Sequence, residues 1–130
     1  MPLKVKSVYS PIERKKDGLR ILATRFRGRG MPTNRYDVWM PSLGPSEQLL
    51  KAALSGRIDW KTFAKRYREE LYLDGPIDVR SETIKNHGQK STLRLLKTLG
   101  EKQNVTLMCH CDEDATDCHR FLLLKEIERA

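Results

Sequence analysis

The chain is 130 residues long, with 38% hydrophobic and 32% charged residues, a mean hydropathy of -0.61 and a formal net charge of +8 at pH 7. That length fits one domain, since domains run roughly 100 to 200 residues, and it is long enough to bury a core without disulfide staples. No run of about 18 apolar residues is present to span a bilayer, and the opening Met-Pro-Leu-Lys-Val-Lys lacks the apolar centre of a secretion signal. A single cytoplasmic domain over residues 1–130, with no membrane partner, is therefore expected.

From Leu3 to Tyr9 alternating residues predict a first strand that ends at Pro11. Lys15-Lys16-Asp17-Gly18 has turn chemistry, and Leu19 to Thr24 is a short apolar strand suited to a sheet interior. Residues 25–45, punctuated by Gly28, Gly30, Pro32 and Gly44, form a long irregular connection of the kind that is usually functional. Ser46 is a good N-cap for a helix over 47–54 stopped by Gly56. Asp59 caps a second helix in which Trp60, Phe63, Ala64, Tyr67 and Leu71 share one apolar face. That spacing favours core packing over a base-stacking platform.

Residues 74–90 carry little pattern, with Gly75-Pro76 and His87-Gly88 as breakers. Leu93, Leu96 and Leu99 make a third amphipathic helix ending near Gly100, and Asn104 to Cys109 reads as a buried strand. Asp117 is the expected N-cap of a final helix, apolar around most of its girth from Phe121 to Ile127. Two strands, then helices, then strand–loop–helix predict an α/β domain with a small, mostly parallel sheet sandwiched by helices.

Charge is placed unevenly. The first thirty residues hold nine Lys or Arg against Glu13 and Asp17, a net of +7, and end in Arg25-Phe26-Arg27-Gly28-Arg29-Gly30. Alternating arginines project to one side of an extended chain, and glycines let an anion approach the backbone, so Arg25, Arg27, Arg29 and Gly30 are candidate ligand-binding residues. The partner class is an anionic small molecule or nucleic acid.

All three cysteines lie within ten residues, in Cys109-His110-Cys111-Asp112-Glu113-Asp114-Ala115-Thr116-Asp117-Cys118-His119-Arg120. An odd, clustered set is not a secreted disulfide framework. The segment joins a buried strand to a helix, where ligands bind in open α/β sheets. Four readings stay open. The turn is structural, with Cys109 as a small core residue. Alternatively it is an anion site, in which Arg120 joins the Arg-Gly loop while Asp112, Glu113, Asp114 and Asp117 oppose it. A third reading is a zinc site of Cys109, Cys111, Cys118 and His119 or His110. The fourth is thiol chemistry, with Cys118, His119 and Arg120 as catalytic residues, Cys111 as the other candidate nucleophile, or a Cys109–Cys118 redox pair.

Cys118-His119-Arg120 after a strand ending Leu107-Met108-Cys109, with Arg25, Arg29-Gly30, Trp39, Pro45-Ser46, Trp60, Phe63, Tyr67 and Glu70-Leu71, resembles the domain-of-unknown-function 488 (DUF488) family in its YeaO-like branch. The resemblance covers about residues 18–71 and 105–127 and implies a compact α/β domain of unassigned activity. Three places depart from it: Thr24-Arg25 stands for the family's Asp-Arg, Arg27-Gly28 for its Trp-Pro, and Cys109-His110-Cys111 for its Cys-x-Glu. Any acid–base role of that Glu is thus absent or moved to Asp112 or Glu113.

The function expected from the residues is binding of an anionic ligand, whether nucleotide, phosphorylated metabolite or nucleic-acid backbone, by Arg25, Arg27, Arg29, Gly30 and Arg120. The alternatives are a thiol-dependent enzyme or redox protein using Cys118 or Cys111, and a non-catalytic interaction module with a structural Cys/His turn.

Overall fold

A computed structural model describes residues 3–28, 30–72, 74–75, 86–87 and 89–130. In chain order the elements are β1 (Leu3–Ser7), α1 (Arg14–Asp17), β2 (Leu19–Leu22), β3 (Val38–Trp39), α2 (Glu47–Leu54), α3 (Trp60–Leu71), β4 (Asp74–Gly75), β5 (Asn86–His87), α4 (Lys90–Lys102), β6 (Val105–Cys109) and α5 (His119–Arg129). β1, β6, β2 and β3 form one sheet in that spatial order, parallel throughout, and β4 pairs antiparallel with β5 in a separate two-stranded sheet. The last strand of the chain therefore lies between the first two. All five of its residues, Val-Thr-Leu-Met-Cys, are buried, which is why it reads as an unbroken apolar run rather than an alternating one.

Strand alternation sorts the two faces. Ile21, Ala23, Val105 and Leu107 meet Leu43, Leu49, Phe63, Tyr67, Leu71, Leu93, Leu96, Leu123 and Ile127 in one apolar cluster built largely from α2 to α5. Val8, Leu22 and Met108 point the other way, toward Met31 and Tyr36 of the irregular connection. The remainder of that second face is polar: Lys6, Arg20 and Thr106 are buried there together with Asp17 of α1. The parallel α/β architecture expected from the sequence is thus present, with its two covering layers unequal.

Local signals account for most boundaries. Ser46 accepts from the Leu49 N–H and Asp59 from the Thr62 N–H, capping α2 and α3 as expected. α4 runs on through Gly100 to Lys102, and a Cβ on Gly100 would stand 3.0 Å from the Leu3 Cβ. That glycine lets the helix approach β1 and does not end it. α5 starts at His119 with Cys118 in the cap position, one residue beyond Asp117. Asp117 stays exposed, whereas the Cys118 side chain turns into the core. β3 escaped the sequence reading because two half-exposed residues at a sheet edge leave no period to detect. Of the weakly patterned stretch 74–90, residues 76–85 and 88 lie outside the described residues.

Candidate functional site

Parallel pairing aligns Ser7 with Cys109 and Leu22 with Met108, so β1, β2 and β6 end side by side. The chain leaving β6 must turn back there to start α5, and this turn carries the cysteines. The Cys109 Sγ lies 2.9 Å from the Cys118 Sγ, and the sulfurs of Cys109, Cys111 and Cys118 all fall within 4.8 Å of one another. Cys109 and Cys118 are buried and Cys111 is partly exposed; none is disulfide-bonded. Three soft ligand atoms this close could hold one thiophilic metal ion.

Arg120 holds the turn in shape. Its side chain is fully buried, with Nη1 donating to the Cys109 Sγ at 3.2 Å and the Cys111 carbonyl at 3.4 Å, and Nη2 to the carbonyls of Asp112 and Glu113 at 3.0 and 3.1 Å. The guanidinium carbon also sits 4.8 Å from the centre of the Phe121 ring. Its Nε, by contrast, has no hydrogen-bond partner among the described residues. A buried cation needs compensating negative charge. The carboxylate it approaches, Glu113, is 4.0 Å away and more than half exposed, and that carboxylate accepts from the Ser10 hydroxyl and the Ser7 N–H. The Cys109 sulfur stands closer, at 3.2 Å.

Hydrogen bonding among the thiols decides where negative charge resides. Donation from Cys109, then from Cys118, pulls Cys111 far below the ordinary thiol range, assisted by the charge of Arg120. Cys118 is pushed up, chiefly by its hydrogen bonds to Cys109 and Cys111, and Cys109 is pushed up chiefly by its bond to Cys111. Hydrogen bonding therefore favours the thiolate form at Cys111, the partly exposed member, over Cys109 and Cys118. Sequence reasoning placed the activated thiol at the helix start, Cys118, as readily as at Cys111; the folded turn shifts the two in opposite directions.

His119 is also buried, and its Nε2 donates to the Ala23 carbonyl at 2.6 Å while the ring meets Tyr67 edge-on at 5.6 Å. Burial lowers its pKa, so the ring is neutral at pH 7 and Nδ1 is left as an acceptor. Two adjoining hollows of about 310 and 280 Å³ open in front of these groups, sharing Cys111, His119, Leu50 and Leu54. Trp60 and Phe63 line the first, and Arg25, Phe26 and Pro45 the second. The sequence reading did not single out the α2 wall. Its one signal was an apolar Leu54 on the last turn of a helix beside Ser-Gly, and Leu54 is 80% exposed.

The arginine loop does meet the cysteine turn, through backbone carbonyls. The His110 Nε2 donates to the Arg27 carbonyl at 3.0 Å, and Gly28, with φ at 95°, leaves room for that ring: a Cβ would stand 3.0 Å from the His110 Cε1. Arg25 lines the second hollow but donates to the carbonyls of Pro45 and Gly44 at 3.2 and 3.1 Å. Gly44 comes so close to this strand that a Cβ would be 2.4 Å from the Arg25 N, which fixes that wall of the cleft. Arg27 is exposed, Gly30 has open space where a side chain would be, and Arg29 lies outside the described residues. Arg120 and Arg25 thus share no partner in the hydrogen bonds they make. Among the described residues no helix is long and apolar enough to cross a membrane.

Comparison with known proteins adds a lineage to this geometry. The family profile described as the active DUF488-N3 subclade matches residues 3–130. The chain is also 30% identical over 125 residues to an uncharacterized protein, YeaO, of Escherichia coli strain K12, a match covering 95% of this chain and 94% of that one. No solved structure matches.

Proposed function

The chain belongs to the DUF488 family, and from that footing we propose that it is a thiol-dependent enzyme in which Cys111 is the nucleophile. The observation that carries the reading is the cluster of three sulfurs within 4.8 Å, backed by a fully buried guanidinium, with Cys111 lining the cleft. In the covalent step the Cys111 sulfur bonds to an electrophilic centre while the leaving group departs with the bonding pair. Cys109 and Cys118 hold the thiolate by hydrogen bonds, Arg120 positions the turn, and neutral His119 offers Nδ1 as a proton acceptor. The apolar walls from Leu50, Leu54, Trp60 and Phe26 favour a substrate with an apolar body.

Iodoacetamide labelling at pH 6, followed by peptide mapping, tests this. Cys111 should be modified first and at least about 100-fold faster than a free thiol, whose pKa is about 8.5; Cys111→Ser should remove the fast phase. Labelling of all three cysteines at or below the rate of glutathione would sink the reading. Metal analysis of protein purified without chelator addresses zinc held by Cys109, Cys111 and Cys118 beside His119. About one zinc per chain would replace the free-thiol reading.

A second reading is supported by Arg25 in the cleft wall, exposed Arg27 beside it and the net of +7 in the first thirty residues. In it the cleft mouth receives an anionic ligand, a nucleotide, phosphorylated metabolite or nucleic-acid backbone. Titration with ATP and with single-stranded and duplex oligonucleotides across salt decides the matter: binding that weakens with salt supports it, and no binding at low salt ends it.

A further inference from the structure

A nucleophile acting on carbon or phosphorus needs one activated thiol, yet two more stand directly behind Cys111. The Cys109 and Cys118 sulfurs are 2.9 Å apart and both side chains are buried, with Cys118 lining the first hollow, and each sulfur is within 4.8 Å of the Cys111 sulfur. Arg120 Nη1 is 3.2 Å from the Cys109 Sγ, a cation placed on one of the buried thiols. The cleft in front is walled by Leu50, Leu54, Trp60, Phe63 and Phe26, room for an apolar molecule of modest size. This arrangement fits a reaction in which the nucleophile is oxidised and its neighbours take up the oxidation.

We propose that the three cysteines form a relay that reduces organic hydroperoxides. The proposal rests on Cys111 as nucleophile and names its electrophile as the outer oxygen of a peroxide. The Cys111 thiolate forms an S–O bond to that oxygen, the O–O bond breaks, and the alkoxide takes the Cys118 proton to leave as an alcohol. The Cys118 thiolate then attacks the Cys111 sulfenic acid. An S–S bond forms, hydroxide leaves, and a solvent proton converts it to water. The sum is one thiolate, one thiol, one hydroperoxide and one proton giving a disulfide, an alcohol and a water.

Cys109 completes the relay. It loses its proton to solvent and attacks the Cys118 sulfur, forming a Cys109–Cys118 disulfide and releasing Cys111 as thiolate. Arg120 stabilises the charge on Cys109 as that attack begins. Two oxidising equivalents are thereby stored in the buried pair, and the nucleophile is restored. An external dithiol returns the pair to thiols by two successive exchanges.

The experiment treats fully reduced protein with one molar equivalent of cumene hydroperoxide at pH 7, blocks remaining thiols with iodoacetamide, and maps peptides without reduction. A Cys109–Cys118 disulfide with alkylated Cys111 is expected. A second equivalent added with dimedone should give the dimedone adduct on Cys111, which then has no thiol left to resolve it. Cys111→Ser should slow peroxide consumption at least about 100-fold. Hydrogen peroxide, without an apolar body to bury, should react about tenfold more slowly than cumene hydroperoxide.

Cys111 that goes directly to sulfinic acid with no disulfide among the three, or peroxide consumption unchanged in Cys111→Ser, overturns the relay. If fast iodoacetamide labelling of Cys111 persists in that case, only the relay fails. If it is absent as well, the thiol-enzyme reading fails with it. Equal rates with the two peroxides overturn the assignment to organic hydroperoxides.

Discussion

Two buried cations in this molecule are neutralised in different ways. Lys6, on the polar face of the sheet, lies 3.0 Å from Asp17, which Lys4 also reaches at 3.0 Å; the Asp17 side chain is fully buried and Lys6 nearly so. Lys6 completes its contacts on the Pro11 carbonyl, and Asp17 takes the Glu13 N–H. Asp17 thus answers the buried Lys6 with a carboxylate and joins α1 to β1. Arg120, fully buried against the end of β6, has carbonyls, an aromatic face and a sulfur but no carboxylate within hydrogen-bonding distance. In the proposed function its counter-charge comes from the thiols, so that the carboxylate-paired cation is structural and the sulfur-paired one serves the reaction.

The sharpest way to break the contrast is Arg120→Met, which fills similar volume without charge. It removes the clamp on the carbonyls of Cys111, Asp112 and Glu113, and should cost about 3–5 kcal/mol, the usual penalty for breaking a buried charged network. The pH midpoint of Cys111 alkylation should also rise toward the free value of about 8.5. Urea unfolding and labelling against pH measure the two effects. Stability loss with an unmoved midpoint would mean that Arg120 holds the backbone alone and that the sulfurs are not its counter-charge.

Asp17→Asn makes the matching test at the closed cluster. Here about 3 kcal/mol should be lost, since two lysines are left facing a neutral amide in a largely buried setting. Alkylation of Cys111 should be unaffected. Burial alone raises the Asp17 pKa, but hydrogen bonds from the Glu13 backbone, Lys4 and Lys6 outweigh it, so the folded value is lowered. A depressed carboxyl contributes stability that is complete above the unfolded pKa of about 3.9 and is lost as pH falls through the folded value. Acid unfolding of the wild type should therefore steepen below about pH 4. The Asn variant should be flatter over that range, and equal slopes in the two proteins would refute the assignment.

The same contrast explains how far the sequence could be read. Hydrophobic period and capping chemistry are local, so α2, α3 and the buried strand at Val105–Cys109 were legible from Ser46, Asp59 and the apolar run itself. Charge pairing is not local. Arg20 meets Asp37 at 3.1 Å, Arg25 donates to the Gly44 and Pro45 carbonyls, and Lys4 and Lys6 reach across to Asp17. At least four of the nine cations in the first thirty residues are thus engaged within the fold, which a linear count cannot reveal. The cysteine turn was legible as a place, because three thiols between a strand and a helix are rare together. The division of labour among them was hidden, since it depends on which side chains turn inward. Cys118 seemed favoured by the helix start, but its extended backbone at φ -144° and ψ 143° carries a side chain that is buried beside Cys109.

The smallest effect should come from the part of the arginine loop that the fold does not engage. Arg27 is exposed and its backbone carbonyl, not its side chain, receives His110. Arg27→Ala should therefore change stability by less than about 0.5 kcal/mol. If the cleft mouth attracts anions, iodoacetate should label Cys111 faster relative to iodoacetamide in the wild type than in the variant. One exposed charge within a Debye length of about 8 to 10 Å supports a difference of about twofold, fading as salt is raised. The neutral reagent serves as an internal control, because any structural disturbance of the thiolate would slow both reagents together. A ratio unchanged by the substitution at low salt would remove Arg27 from the anion reading. What remained of that reading would rest on Arg25, which the Gly44 and Pro45 carbonyls already hold in the cleft wall.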